Sequence, residues 1–220
     1  MIAPTFARWM RWGKVAGGVA LCLAYSLLAH LASVHPTPGV WEVLVALFLV
    51  LVLAVSLAWR SAHRPLMLAL CAAGAVGLVS MGDWLRLHYH WLFFLEHAGM
   101  QSLLCIAFGR TLVAGQTPLV SRFAAVVHGP LSPQLQRYTR GVTWAWTLYF
   151  GLMASVSVLL FSFAPMAWWS GFANLLGLPL VALMFVGDYL VRRCVLPPQD
   201  VTGLWQAVRA YRQVGTPPLH

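Results

Sequence analysis

The sequence predicts an all-α, polytopic membrane protein with six transmembrane helices and short amphipathic cytoplasmic helices. Three observations carry that reading. The first is composition: of 220 residues, 60% are hydrophobic and 9% charged, whereas a soluble domain carries about 25% charged residues. The second is that the apolar residues fall in continuous runs, at about 14–34, 41–59, 65–81, 91–109, 142–163 and 168–190, each able to cross a ~30 Å hydrocarbon core as a helix. The third is charge placement. With the N-terminus in the cytoplasm, every one of the 14 Lys and Arg residues except Arg86 falls on the cytoplasmic side, as expected where Lys and Arg resist translocation. Backbone groups in lipid need internal partners, and continuous rather than alternating apolar runs select helices over barrel strands.

The first run follows Arg8, Arg11 and Lys14. Arg8–Lys14 and Val15–Ala29 have the outline of a signal peptide. No clean small-x-small site follows, so the stretch is expected to stay as an uncleaved first span. Gly13, Gly17 and Gly18 in span one, and Ala73, Gly74 and Gly77 in span three, are expected to let neighbouring helices approach closely. His35-Pro-Thr-Pro-Gly39 reads as a tight outside turn. Trp41, Trp84, Trp91, Trp168 and Trp169 fall at the outer interface. Trp9, Trp12, Trp59, Trp144 and Trp205 fall near the inner one, an aromatic belt at each level. No repeat relates the two halves, which leaves a duplicated transporter architecture without support.

The longest connection is 110–140. Pro118–His128 is apolar on one side and is expected to lie along the inner interface. Ser132-Pro133 reads as an N-cap followed by a first-turn proline. A helix from 133 to 162 would measure ~45 Å and project beyond the membrane by two or three turns. After Pro197-Pro198, residues Leu204, Val208 and Tyr211 with Arg209 and Arg212 suggest an interfacial helix. The division expected is therefore a six-span domain over 1–197 and a cytoplasmic amphipathic tail over 198–220. The net charge of +9 reads as an orientation signal suited to anionic headgroups or an acidic protein partner, not as a nucleic-acid signal.

Polar groups inside the spans are the candidate site residues, because burying them is costly. Span four carries Glu96 and His97, with Gln101 one turn beyond His97. These form either an interhelical hydrogen-bond cluster or an acid/base pair; Glu96 lies ~8 Å in from Trp91. Span six carries Asn174 and Pro179, which is expected to kink the helix and free a carbonyl near Leu175. Asp188 sits one turn from Arg192, so an i,i+4 ion pair is expected; the alternative is a cytoplasmic-face site shared with Arg110 and Arg140. His88 and His90 lack a third ligand in sequence. Cys22, Cys71, Cys105 and Cys194 have no CxxC spacing and read as small apolar filler. His30 and His128 read as interface residues. No GxSxG, Walker A or HExxH motif is present, so the sequence leaves catalysis open and implies no cofactor and no metal.

Three stretches together, EHAGMQSLLCIAFGRTL (96–112), TPLVSRFAAVVHGPLSPQLQRYTRGVTWAW (117–146) and WSGFANLLGLPLVALMFVGDYLVRRCVLP (169–197), resemble a family of small six-span bacterial inner-membrane proteins. Its members accompany aryl polyene and xanthomonadin-type biosynthesis, beside fatty-acid-synthase-like enzymes and acyl carrier proteins. The resemblance covers roughly residues 90–197. Some members are labelled ketosynthase, but this chain lacks the soluble thiolase-like pattern and its nucleophilic-Cys motif. Asp188 stands where glutamate is usual, which keeps the charge. The resemblance implies an accessory inner-membrane component of polyene or fatty-acyl-derived lipid synthesis. Such a component would meet membrane lipid and dock an acidic acyl carrier protein or soluble acyl-handling enzymes through Arg110, Arg122, Arg137, Arg140, Arg192 and Arg193. A membrane acyl-modifying enzyme using Glu96 and His97, or a lipid flippase or exporter subunit, are the competing expectations.

Overall fold

The computed structural model describes residues 4–35 and 39–196, the side chains of 4–12, 14, 127 and 128 excepted. Among them every regular element is helical: α1 (Pro4–Val34), α2 (Val40–Arg60), α3 (Arg64–Ser80), α4 (Gly82–Leu87), α5 (Tyr89–Gly109), α6 (Leu119–His128), α7 (Pro133–Phe163), α8 (Met166–Ser170) and α9 (Gly177–Val195). A 3₁₀ turn, Arg110–Leu112, follows α5, and a π-helical turn, Gly171–Leu176, joins α8 to α9. The expected tail helix after Pro197, Trp205 within it, and the interior of the 35–39 turn lie outside the described residues.

Five stretches are long and apolar enough to cross a membrane: Val15–Val34, Val40–Arg60, Tyr89–Leu112, Pro133–Phe163 and Met166–Val195. The expected third span is the short member. With 17 residues α3 reaches ~26 Å, just under a hydrocarbon core, so six spans hold approximately. Large apolar side chains cover the surface: Leu21, Val79 and Phe163 are exposed over 73%, 81% and 85% of their area. Apolar exposure on that scale marks a surface that water does not cover. These features are compatible with a multi-pass membrane protein.

The chain divides into two compact units, one running to His97 and including Ser157–Leu178, the other comprising Ala98–Val156 and the chain from Pro179 onward. In the first, α1 packs against α2, α8 and the π turn, and α2 packs against α3 and α4. Small residues make that contact: Ala29 and Ala32 of α1, Ala46 of α2 and Ala173 of the π turn are buried around Phe93 and Trp169.

Two expectations need correcting here. A Cβ added at Gly13, Gly17, Gly18, Gly74, Gly77 or Gly99 would meet nothing within 4 Å, so none of these glycines seats a neighbouring helix among the described residues. The close approaches occur at Gly109 and Gly151, where a Cβ would come within 3.3 Å of Thr147 Cγ2 and 3.4 Å of Cys105 Sγ. Trp169 is no belt residue. It is fully buried and donates from Nε1 to Ser157 Oγ at 3.0 Å. Trp41, Trp84, Trp91 and Trp168 are exposed.

Candidate functional site

Each unit carries its own polar constellation. In the first, two hydroxyl-centred clusters form where α1 and α7 meet the α8–π segment. Asn174 donates from Nδ2 to Ser170 Oγ at 3.0 Å and to Ser33 Oγ at 3.4 Å. His30 Nδ1 lies 2.9 Å from the same Ser170 oxygen. The π turn that places Asn174 ends three residues before Pro179. Proline lacks the N–H that would bond Leu175, and a wider turn upstream accommodates the lost bond. The expected irregularity near Leu175 is thus a π turn.

The second cluster centres on Ser157, which is fully buried. His97 Nδ1 lies 3.1 Å from its Oγ, beside the Trp169 donor. The rings of Trp169 and Phe172 stand edge-on to the imidazole at 6.4 and 5.9 Å. If Ser157 accepts from Trp169 and donates to Nδ1, both of its contacts are hydrogen bonds and the imidazole proton sits on Nε2. His97 Nε2 and Glu96 Oε1 are buried without a hydrogen-bond partner among the described residues. Consecutive helical residues point about 100° apart, and no hydrogen bond joins Glu96 to His97. Gln101 belongs to the other unit; its Oε1 is likewise buried and unpartnered.

Glu42, in the first turn of α2, has a wholly buried side chain. One carboxylate oxygen accepts from Gly39 N–H at 2.9 Å, the glutamate half of a capping box at the start of α2, and the other lies 2.8 Å from His35 Nδ1. Three-residue spacing after Gly39 is the signal that could have found the cap.

The second unit holds the 110–140 connection, and it is a built structure. The N-terminus of α6 has no side-chain cap from Pro118, so its first N–H groups need acceptors. Leu119 N–H donates to Thr111 Oγ1 at 3.0 Å and Val120 N–H to Thr143 Oγ1 at 3.4 Å. Ser121 and Thr139 hydroxyls lie 2.6 Å apart and are buried. Gly129 closes the helix with φ +73°, a left-handed position that favours glycine. Ser132 Oγ accepts from Leu135 N–H at 3.2 Å, the expected cap of α7.

Around this connection the arginines take different roles. Arg122 donates to Thr117 O at 2.9 Å and to Gln116 Oε1 at 3.2 Å. Arg140 donates to Leu112 O at 3.0 Å. Arg110 is exposed at the 3₁₀ turn. Arg192 pairs with Asp188 Oδ2 at 3.1 Å, the expected i,i+4 bridge. Asp188 also accepts from the Tyr138 hydroxyl at 2.7 Å, and no bond joins it to Arg110 or Arg140. Arg137 is exposed and has no hydrogen bond or ion pair among the described residues. It lines two cavities. One, of about 570 Å³, is bounded by Pro118, Ser121, Gly129, Pro130, Gln136 and Arg140. The other, of about 460 Å³, runs between α7 and α9 past Gly141, Trp146, Tyr149, Leu183 and Gly187.

Comparison with protein-family models, curated proteins and solved structures finds no match for this chain.

The chemistry must therefore be read from the residues alone. Among the described residues no three His, Cys, Asp or Glu side chains converge as metal ligands. His88 is instead held by Trp84, whose carbonyl lies 2.9 Å from Nδ1 and whose ring stacks on the imidazole. The four cysteines are free. What remains is an arginine-bearing surface beside an apolar cleft in one unit, and a buried histidine–serine–tryptophan contact near an unpaired carboxyl oxygen in the other.

Proposed function

We propose that this protein is an accessory component of polyene or fatty-acyl-derived lipid synthesis, lying in the bacterial inner membrane with both termini in the cytoplasm. In this reading the 110–140 surface docks an acidic acyl-handling partner, an acyl carrier protein or a soluble fatty-acid-synthase-like enzyme. The observation that carries it is the anchoring of α6 to the Arg110–Leu112 turn through Thr111 and to α7 through Thr143 and the Ser121–Thr139 pair. A connection that merely returned the chain would need no such bonds. Exposed arginines on a fixed frame meet carboxylates or phosphates in a defined geometry.

The test is acyl carrier protein binding to the full chain in nanodiscs of neutral lipid, measured by biolayer interferometry. Native protein should bind, with affinity falling as salt rises. Arg122→Glu with Arg193→Glu should abolish binding at unchanged protein level. Binding unaffected by both the salt and the charge reversal would end the docking reading.

The unpartnered Glu96 Oε1 and His97 Nε2 favour a second reading, a membrane enzyme that modifies the acyl chain with these two as acid and base. It requires that Glu96→Gln with His97→Ala abolish acyl product in a complemented deletion strain while the membrane level of the protein holds. Docking requires that product persist.

A further inference from the structure

Arg137 lines two cavities, and it is the arginine there with no hydrogen bond or ion pair among the described residues. Arg140 and Arg192 are each committed, to Leu112 O and to Asp188. On one side of Arg137 lies the cavity under α6, whose wall includes Ser121, Gln136 and Arg140; on the other the cleft between α7 and α9 opens along apolar side chains. From Arg137 to Tyr149 along α7 is ~18 Å, close to the ~15 Å depth of one leaflet's hydrocarbon. Two glycines, Gly141 and Gly187, form part of the wall, and a Cβ at either would meet no atom within 4 Å. The space beside them is open cleft and not a helix seat. A charged mouth over an apolar trough one leaflet deep has the shape and polarity of an amphiphile with an anionic head.

We propose that this cleft binds one acyl tail of an anionic phospholipid, with the lipid phosphate held at Arg137. The guanidinium supplies paired donors matched to phosphate oxygens, and the charge bias of the sequence assigns the Arg137 end to the cytoplasmic leaflet, where anionic headgroups are available. The Tyr138–Asp188–Arg192 contacts fix the mouth from the α9 side. Arg137 also belongs to the proposed docking surface, but Arg122 and Arg193 do not line the cleft, so the two roles can be separated by substitution.

The experiment is native mass spectrometry of the full chain released from detergent, titrated with phosphatidylglycerol or with phosphatidylcholine of the same acyl chains. Native protein should retain one phosphatidylglycerol roughly tenfold better than phosphatidylcholine, the scale of one charge-assisted hydrogen-bond contact. Arg137→Gln should erase that preference while leaving weak retention of both lipids. Gly187→Leu, and separately Gly141→Leu, should fill the trough and reduce both. Equal retention of the two lipids by native protein overturns the proposal. So does a preference that survives Arg137→Gln, or full retention in both leucine variants. Arg122→Glu with Arg193→Glu, the variant made to break the docking surface, should leave the phosphatidylglycerol preference intact, since neither side chain lines the cleft, which keeps failure of this site distinct from failure of the docking surface.

Discussion

The Tyr138 hydroxyl donates to Asp188 Oδ1 at 2.7 Å and lies 2.9 Å from the Asp188 backbone carbonyl, joining the first turns of α7 to the last turns of α9. Asp188 Oδ2 meanwhile takes Arg192, whose guanidinium lies 5.9 Å from the Tyr138 ring centroid. The three side chains form a closed set in which the carboxylate has a partner on each oxygen. Gln134 adds a further tie nearby, its Nε2 donating to Val195 O at 2.9 Å and so serving one of the carbonyls left open at the end of α9.

Removing the carboxylate should therefore cost more than removing the hydroxyl. Asp188→Ala strands Arg192 and Tyr138 together, and about 2–3 kcal/mol of stability should go with it, against about 1 kcal/mol for Tyr138→Phe. Because the two act on one set, their effects should be non-additive. Thermal unfolding of the single and double variants in detergent checks this; simple additivity would mean that the hydroxyl and carboxylate act independently.

The attachment of α6 is the next quantity open to measurement. Thr143→Val keeps the shape of the side chain but leaves Val120 N–H without its acceptor, and Ser121→Ala removes the buried hydroxyl pair. Amides of Leu119–His128 should then exchange roughly tenfold faster, as expected when a local segment loses about 1.4 kcal/mol of opening free energy. Thr147→Val is the control, since its hydroxyl bonds within its own helix, to Thr143 O. Hydrogen exchange read by mass spectrometry distinguishes the two; equal effects from Thr143 and Thr147 would remove the anchoring role of Thr143.

Which parts of this molecule could be read from the chain follows from the range of the interactions. The α7 start at Pro133, its length, the amphipathic α6 and the Asp188–Arg192 bridge are all local, set within a few residues by capping, periodicity and helical spacing. The burial of Trp169 and Ser157 depends on neighbours such as His97, far off in sequence, and nothing in their own surroundings announced it; the Glu42 cap is local, set by its spacing from Gly39. Glycine spacing misled for a related reason: Gly17 and Gly77 permit a close approach, but a partner must also be present, and it is Gly109 and Gly151 that have one. Glu96, His97 and Gln101 lie on a single run of helix, yet the one side-chain hydrogen-bond partner described for them, Ser157 at His97, comes from α7, which is why a shared role for them could not be settled from spacing.

Glu42 gives a sharper case of buried polarity. Its carboxylate is wholly enclosed, with Gly39 N–H on one oxygen and His35 beside the other. Glu42→Ala leaves the α2 N-terminus uncapped and the His35 ring without its acidic neighbour, and should cost about 3 kcal/mol. Glu42→Gln keeps an acceptor for Gly39 and should recover about half of that. Unfolding in detergent, followed by the change in helical circular dichroism, ranks the pair; equal loss in both would show that charge rather than the cap sets the requirement.

The glycines test helix packing directly. At Gly17 and Gly77 a Cβ would meet nothing within 4 Å, so Gly17→Ala and Gly77→Ala should leave packing untouched and raise stability by about 0.5–1 kcal/mol through helix propensity. At Gly109 and Gly151 the facing atoms belong to Thr147 and Cys105, at 3.3 and 3.4 Å. Alanine there requires a neighbour to give by a few tenths of an ångström, and leucine forces the α5–α7 contact apart at a cost of about 1–3 kcal/mol. The same scan through all four positions by thermal unfolding should separate them into two pairs. If Gly17→Leu proved as damaging as Gly151→Leu, α1 would have a close partner that the described residues do not supply, and a second copy seated on its Gly13–Gly17 face would become the thing to look for by cross-linking.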